Sequence, residues 1–180
     1  MDSLLYPWAM LILCSPSELD WWNKLEYFVI LKQPDLIILP VAWTTKENLE
    51  SYSTLPEEPD MKTLRHWIER LKILLTAAKD EIIVVFANQT WHTDNTLYAG
   101  TSEHTDIYAG TSAVLGFQHG KVNVYGILGR GEKRLLVVDT NKPPTKRVIW
   151  EGGLPIIVPD ISGNGMNTII RSHSFLESNK

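Results

Sequence analysis

The stretch DLIILP, from Asp35 to Pro40, decides the fold, because it is the second of two short apolar runs that are separated by a helix signal. The first run, WAMLILC from Trp8 to Cys14, is continuously apolar, as expected of a strand that is covered on both faces. Between the runs, SPSE from Ser15 to Glu18 forms a capping box with proline at the first helical position. This order predicts a βαβ unit with parallel strands and a right-handed crossover.

The rest of the chain continues the α/β pattern and then becomes rich in strands. Apolar positions at helical spacing predict a long amphipathic helix from about Asp60 to Lys79, and EIIVVFA, from Glu81 to Ala87, predicts a third strand. The runs SAVLGF and KVNVYGIL flank residues 118–120 and predict a hairpin. RLLVVD, from Arg134 to Asp139, predicts a further strand. We therefore expect an α/β fold built as a layered sandwich.

The length and composition of the chain indicate one domain, and its net charge restricts the partners it can bind. With 180 residues and 44% apolar composition, we expect one domain over residues 1–150 and a loosely ordered C-terminal tail over residues 151–180. A net charge of −4 provides no basic surface for nucleic acid or acidic membranes. The single cysteine cannot form an internal disulfide, which favours the cytoplasm. The apolar run from Leu4 to Leu13 lacks a basic region before it, so a secretion signal is disfavoured.

Cys14 is the first candidate for chemistry. A thiol between a strand and a helix N-terminus gains thiolate character from the backbone N–H groups and the helix dipole. The alternative is an inert cysteine buried in an apolar strand. Trp43 and Asn88 follow the second and third predicted strands, so they are candidates to line a substrate pocket, although both residue types also serve in packing and turns.

A doubled segment, HTDNTLYAGTSEHTDIYAGTS, occupies residues 92–112. Its two His-x-Asp pairs are His92 with Asp94 and His104 with Asp106, but this spacing lacks helical i, i+4 geometry, and we predict no metal site. The second YAGTS leads directly into the hairpin and is expected to be the structural copy. The first copy, Tyr98–Ser102, is expected to be an exposed loop made by local duplication.

Five blocks in order resemble the later half of the carbon–nitrogen hydrolase (nitrilase) superfamily. They are DLIILPVAW, EEPDMKTLRHWIERL, IIVVFANQT, YAGTSAVLGF and KVNVYGILGRGEKRLLVVDT. The nearest branch is that of the fungal protein N-terminal amidases, which deamidate N-terminal asparagine and glutamine. The resemblance implies part of an α-β-β-α sandwich, a possible homodimer, and protein N-termini bearing Asn or Gln as substrate.

The resemblance also implies a mechanism without metal or cofactor. A cysteine thiolate attacks the amide carbon, a glutamate acts as general base and acid, and a lysine stabilises the oxyanion. Cys14 stands at about the right distance before Trp43, although Pro16 replaces the acid that the family has two residues after its cysteine. In a rival alignment, Met1 and Asp2 match the Met-Asp that follows the family's nucleophile, which then precedes residue 1.

Only thirteen residues precede Cys14, whereas the family's glutamate and lysine precede the cysteine by long stretches. We therefore expect both to be absent from this chain and its activity to be impaired, as in a fragment. Two alternatives stay open: an amidase acting on a small free amide, and a non-catalytic fragment or dimerising pseudo-enzyme that keeps the sheet without the chemistry.

Overall fold

The computed structural model describes residues 8–10, 25, 27–45, 47–90 and 107–160. These residues form an α/β fold, which confirms the predicted class. Its strands are β1 Trp8–Met10, β2 Leu36–Val41, β3 Thr44–Thr45, β4 Ile82–Asn88, β5 Ile107–Tyr108, β6 Ala113–Gln118, β7 Lys121–Ile127, β8 Lys146–Glu151 and β9 Leu154–Pro159. Its helices are α1 over residues 25 and 27–32, α2 Leu49–Tyr52, α3 Met61–Arg70 and α4 Leu74–Ala77.

Seven strands form one mixed sheet in the order β1-β2-β4-β6-β7-β8-β9, and β3 and β5 form a separate antiparallel pair. The parallel pairing predicted for the first two strands is confirmed, because β1 lies parallel to β2 with Trp8 opposite Leu36. Strand β4 is also parallel to β2, and every later pairing in the large sheet is antiparallel.

One face of the sheet packs against the helices. Alternate residues of the central strands are almost fully buried on this face, because side chains alternate along a strand. They meet apolar residues that recur along α3 and α4 at helical spacing. The joint core includes Ile37, Leu39, Val84, Phe86, Leu115, Phe117, Val124, Val29, Leu64, Ile68, Leu71 and Leu74. The predicted helix over residues 60–79 is broken by a turn at residues 71–73 into α3 and α4.

The predicted hairpin is confirmed. Strands β6 and β7 are joined by His119 and Gly120, both of which have positive φ angles, 46° and 78°. Two consecutive left-handed residues are the signature of the type I′ turn, whose twist matches that of the flanking strands.

Two expectations about the C-terminal third are wrong. Arg134–Asp139 lies outside the sheet, and Leu135 and Val137 in it are 85% and 78% exposed. Leu154–Pro159, which we expected in a loosely ordered tail, forms β9 and pairs with β8, so the sheet continues past residue 150. Alternation of apolar residues predicts an extended conformation, but neighbouring strands decide whether that segment is paired. The assignment of residues 1–150 to one domain stays a prediction.

None of the helices among these residues is long and apolar enough to span a membrane.

Candidate functional site

The candidate site lies where the parallel strands β2 and β4 end. Strands β1, β2 and β4 run in the same direction, and the register places Val41, at the end of β2, opposite Asn88, at the end of β4. Ligands of open α/β sheets bind at the carboxyl ends of such strands. Trp43 and Asn88 both lie at this edge. Cys14 lies outside the described residues, four positions after the end of β1.

Asn88 connects three segments at the edge. Its Oδ1 accepts a hydrogen bond from the Trp43 backbone N–H at 2.9 Å, and its Nδ2 donates to the Gly110 carbonyl at 2.8 Å. Its backbone N–H donates to the Ser112 hydroxyl at 3.1 Å, and that hydroxyl donates back to the Asn88 carbonyl at 3.0 Å. The amide therefore holds the end of β2 and the turn before β6 on either side of β4. These contacts describe a residue that positions backbone segments.

Asn88→Asp is expected to lower the free energy of unfolding by about 2 kcal/mol. One carboxylate oxygen still accepts from the Trp43 N–H. The other oxygen faces the Gly110 carbonyl, and that carbonyl loses the hydrogen-bond donor it had in the amide. Urea denaturation followed by circular dichroism measures this loss. Gln89→Glu is the matched control, because it makes the same amide-to-acid change at a neighbouring exposed side chain. Equal stability of the two variants would show that the Asn88 bridge contributes nothing.

Trp43 is half-buried and fixed through both backbone groups. Its carbonyl accepts a hydrogen bond from the Ala109 N–H at 2.9 Å, in addition to the bond from its own N–H to Asn88. The indole stacks on His66 of α3 with ring centroids 4.3 Å apart, and it meets Trp67 edge-on at 5.3 Å. Aromatic contacts of this kind orient the rings and exclude water. The sequence singled out Trp43 but missed His66, whose only signal was its place on the predicted helix.

The second YAGTS copy is built into the same edge. Gly110 and Thr111 have positive φ angles of 56° and 60°, which turn the chain into β6. A Cβ on Gly110 would lie 2.0 Å from the Arg130 carbonyl oxygen, so the close approach of the two backbones requires glycine. Ala109, Thr111 and Ala113 are buried. The first copy lies outside the described residues, so its expected exposure stays a prediction.

A buried polar cluster contacts this turn at Thr111. Asp60, the N-cap of α3, is 4% exposed and accepts hydrogen bonds from the backbone N–H groups of Lys62 and Thr63. Its Oδ2 accepts two more, from the hydroxyls of Tyr52 at 2.8 Å and Thr63 at 3.0 Å. The Asp60 N–H donates to the Thr111 hydroxyl at 2.8 Å. The carboxylate is therefore engaged in holding the fold, which disfavours a role for it as a catalytic base.

Tyr52 is the centre of this cluster, and no pattern in the sequence indicated it. Burial first, and then the hydrogen bond to Asp60, raise the pKa of the Tyr52 phenol far above its usual range. The hydroxyl therefore stays protonated and donates at neutral pH. The guanidinium of Arg130 lies over the Tyr52 ring at 4.6 Å, which closes the cluster toward solvent.

A second carboxylate, Glu81, belongs to the other end of the sheet. It immediately precedes β4 and accepts hydrogen bonds from Asn123 and Tyr125, both at 2.6 Å. Burial, followed by this hydrogen bond, raises the pKa of Tyr125. Since β4 runs from this end toward Asn88, Glu81 lies away from the candidate site.

At this edge the described residues provide an aromatic surface, from Trp43, and backbone segments that are held in place by hydrogen bonds. Within the same part of the chain, no group of three or more His, Cys, Asp and Glu side chains could hold a metal ion. The doubled pairs at His92, Asp94, His104 and Asp106 fall in residues that the structure leaves undescribed.

Comparison with known proteins gives one distant relation. Over 107 residues the chain is 28% identical to a protein N-terminal amidase from Schizosaccharomyces pombe. The matched region covers 59% of this chain and 32% of that protein, so the chain spans about a third of the length of this curated relative. No protein-family model and no solved structure matches the chain. The similarity thus indicates a distant relation to a protein N-terminal amidase, in agreement with the resemblance of the ordered blocks.

Proposed function

We propose that this chain carries the nucleophile of an amide hydrolase that converts N-terminal asparagine or glutamine of proteins to the corresponding acid in the cytoplasm. The observation that carries the proposal is the similarity to the Schizosaccharomyces pombe amidase. Cys14 is the proposed nucleophile, and Trp43 is the proposed aromatic wall of the pocket.

The proposed reaction proceeds in two steps. The Cys14 thiolate attacks the side-chain amide carbon of the substrate and forms a C–S bond, and the C–N bond breaks as the nitrogen leaves as ammonia with a proton from a general acid. Water then attacks the resulting thioester, which releases the side-chain acid and restores the thiol. In the resembling family a glutamate transfers the protons and a lysine stabilises the oxyanion. Each of these two groups lowers the activation barrier by several kcal/mol.

The strand arrangement supports this role for Cys14. Residue 14 comes four positions after Met10, and β1 lies parallel to β2 and runs toward the edge where Trp43 and Asn88 lie. A short connection from β1 into the predicted helix would keep residue 14 near that edge, where a helix N-terminus favours an anion.

We expect the protein to release ammonia from a peptide that begins with Asn or Gln. The same peptide with an acetylated N-terminus should release none, because the proposed substrate is a free protein N-terminus. Alkylation by iodoacetamide as a function of pH reports the thiol directly, since Cys14 is the only cysteine in the sequence. We expect a midpoint below about 8.5, the usual pKa of a thiol.

Cys14→Ser is the matched variant, because it keeps the size of the side chain and removes the thiolate. It should abolish both ammonia release and alkylation while leaving the circular dichroism spectrum unchanged. Release of ammonia by Cys14→Ser would remove Cys14 from the mechanism. An ordinary thiol together with no ammonia release would contradict the proposal and support the non-catalytic alternative.

A further inference from the structure

The sheet edge of the candidate site extends to a cavity beside β7, β8 and β9, which we call the edge cavity. Its volume is about 450 Å³, and its lining includes Ile127, Lys146, Ile157 and Pro159. Strand β7 runs in the same direction as β4, because each pairs antiparallel with β6. Its last residue, Ile127, therefore lies at the same edge as Asn88. The volume falls within the range of about 300 to 1,000 Å³ that is typical of ligand sites.

Arg130 connects the edge cavity with the candidate site. Its backbone packs against Gly110, whose carbonyl accepts a hydrogen bond from the Asn88 amide at 2.8 Å. The guanidinium of Arg130 donates to the Pro59 carbonyl at 3.4 Å, and Pro59 lines the edge cavity. Three strand spacings separate β4 from β8, and four separate β2 from β8, which gives about 14 and about 19 Å. The two sites therefore belong to one continuous surface.

The edge cavity is basic where the connection between β7 and β8 forms its wall. Lys146 and Arg134 line this wall, and both are exposed. Glu132 of the same wall is already engaged, because it forms an ion pair with Arg134 at 3.0 Å and accepts a hydrogen bond from the Gly129 N–H at 2.6 Å. Residues 130–147 contain six basic and two acidic residues, although the whole chain has a net charge of −4. This wall therefore attracts a carboxylate.

We propose that the edge cavity binds an acidic side chain of the substrate, about four to six residues beyond the N-terminal asparagine or glutamine. This inference rests on the proposed function, because it requires the N-terminal residue to lie at the ends of β2 and β4. An extended chain advances about 3.3 Å per residue, so four to six residues span about 14 to 19 Å. The carboxylate binds at Lys146 and Arg134, and its methylene groups contact Ile127 and Ile157. The preferred substrates are proteins with Asp or Glu near positions five to seven.

Fluorescence anisotropy with labelled peptides measures this binding without turnover. The peptides all begin with Asn, and they carry three Asp, three Ser or three Lys residues at positions five to seven. A fourth peptide carries the three Asp residues at positions two to four. We expect the full chain to bind the first peptide about fivefold more tightly than the serine peptide, since exposed ion pairs are individually weak. Added salt should reduce this preference.

Lys146→Glu should weaken binding of the peptide with Asp at positions five to seven about tenfold and strengthen binding of the lysine peptide. Lys121→Glu is the matched control, because it makes the same charge change at an exposed lysine at the opposite end of β7. It should leave both affinities unchanged. Glu57, an exposed carboxylate, also lines the edge cavity, so Glu57→Gln should strengthen binding of the same Asp peptide about twofold.

Ammonia release from the same peptides separates this proposal from the proposed function. Release with equal KM for the Asp and Ser peptides would overturn the role of the edge cavity and leave the hydrolysis standing. A preference for Asp that Lys146→Glu removes, without ammonia release from any peptide, would support the edge cavity and contradict the hydrolysis. Equal effects of K146E and K121E would overturn the proposal. It would also be overturned by equal binding of the two Asp peptides, or by tighter binding of a single-stranded oligonucleotide of equal charge.

Discussion

Replacement of Gly110 by alanine is expected to lower the free energy of unfolding by about 3 to 5 kcal/mol. The new Cβ would lie 2.0 Å from the Arg130 carbonyl oxygen and 2.6 Å from its carbon, which are backbone atoms that cannot rotate away. Relief would require separation of residues 109–112 from the loop that contains Arg130. The Thr90 hydroxyl, which donates to the same carbonyl at 2.7 Å, would lose its place as well. Thermal and urea denaturation measure the loss.

Gly120→Ala is the control that separates the steric clash of a new Cβ from the conformational cost of alanine at a positive φ. Gly120 also has a positive φ, 78°, but nothing lies within 4 Å of its hypothetical Cβ. Alanine there incurs only the conformational cost, about 1 kcal/mol. We therefore expect Gly110→Ala to be the more destabilising variant by at least about 2 kcal/mol. If both variants lose the same stability, the contact between the YAGTS turn and the Arg130 loop does not stabilise the fold.

Replacement of Asp60 by alanine is expected to lower the free energy of unfolding by about 3 kcal/mol. The change removes the N-cap of α3, and it also removes the acceptor for the buried hydroxyl of Thr63 and one acceptor for that of Tyr52. A buried donor left without a partner keeps its full desolvation penalty. Urea denaturation gives the free energy, and loss of helical circular dichroism before global unfolding would locate the effect in α3.

Asn48→Ala is the matched control for the cap. The Asn48 side chain accepts from the Glu50 N–H at 2.8 Å in front of α2, but this contact is exposed to solvent. Water replaces the lost acceptor there, so we expect a loss of at most about 1 kcal/mol. Asp60→Asn keeps one acceptor oxygen and should fall between the two alanine variants. A cost of Asp60→Ala no larger than that of Asn48→Ala would mean that the buried cluster adds no stability beyond the cap.

The elements that the sequence predicted well are those in which local signals agree with one another. DLIILP, the helix that begins after Asp60, and the hairpin at His119 and Gly120 each combine an apolar period with a cap or turn residue. The wrong predictions concern segments whose local sequence pattern fits both a paired strand and a segment outside the sheet. RLLVVD keeps its alternation in the structure, with one side packed and the other exposed, but it pairs with none of the described strands.

For the candidate site, the sequence named Trp43 and Asn88, and the structure places both at the carboxyl edge of the parallel strands. Their assignment to substrate binding stays a prediction, as does the role of Cys14. The sequence did not indicate that Asn88 holds the Trp43 N–H and the Gly110 carbonyl, because its partners are 45 and 22 residues away.

By itself the sequence predicted the α/β class, the parallel pairing of the first two strands and the position of the hairpin, because periodicity, caps and glycine act over a few neighbouring residues. Only the tertiary structure decided which apolar segment lay outside the described strands, and which carboxylate was buried under four hydrogen bonds. Those outcomes depend on contacts between segments far apart in the chain, and such contacts form only when the sheet brings the segments together.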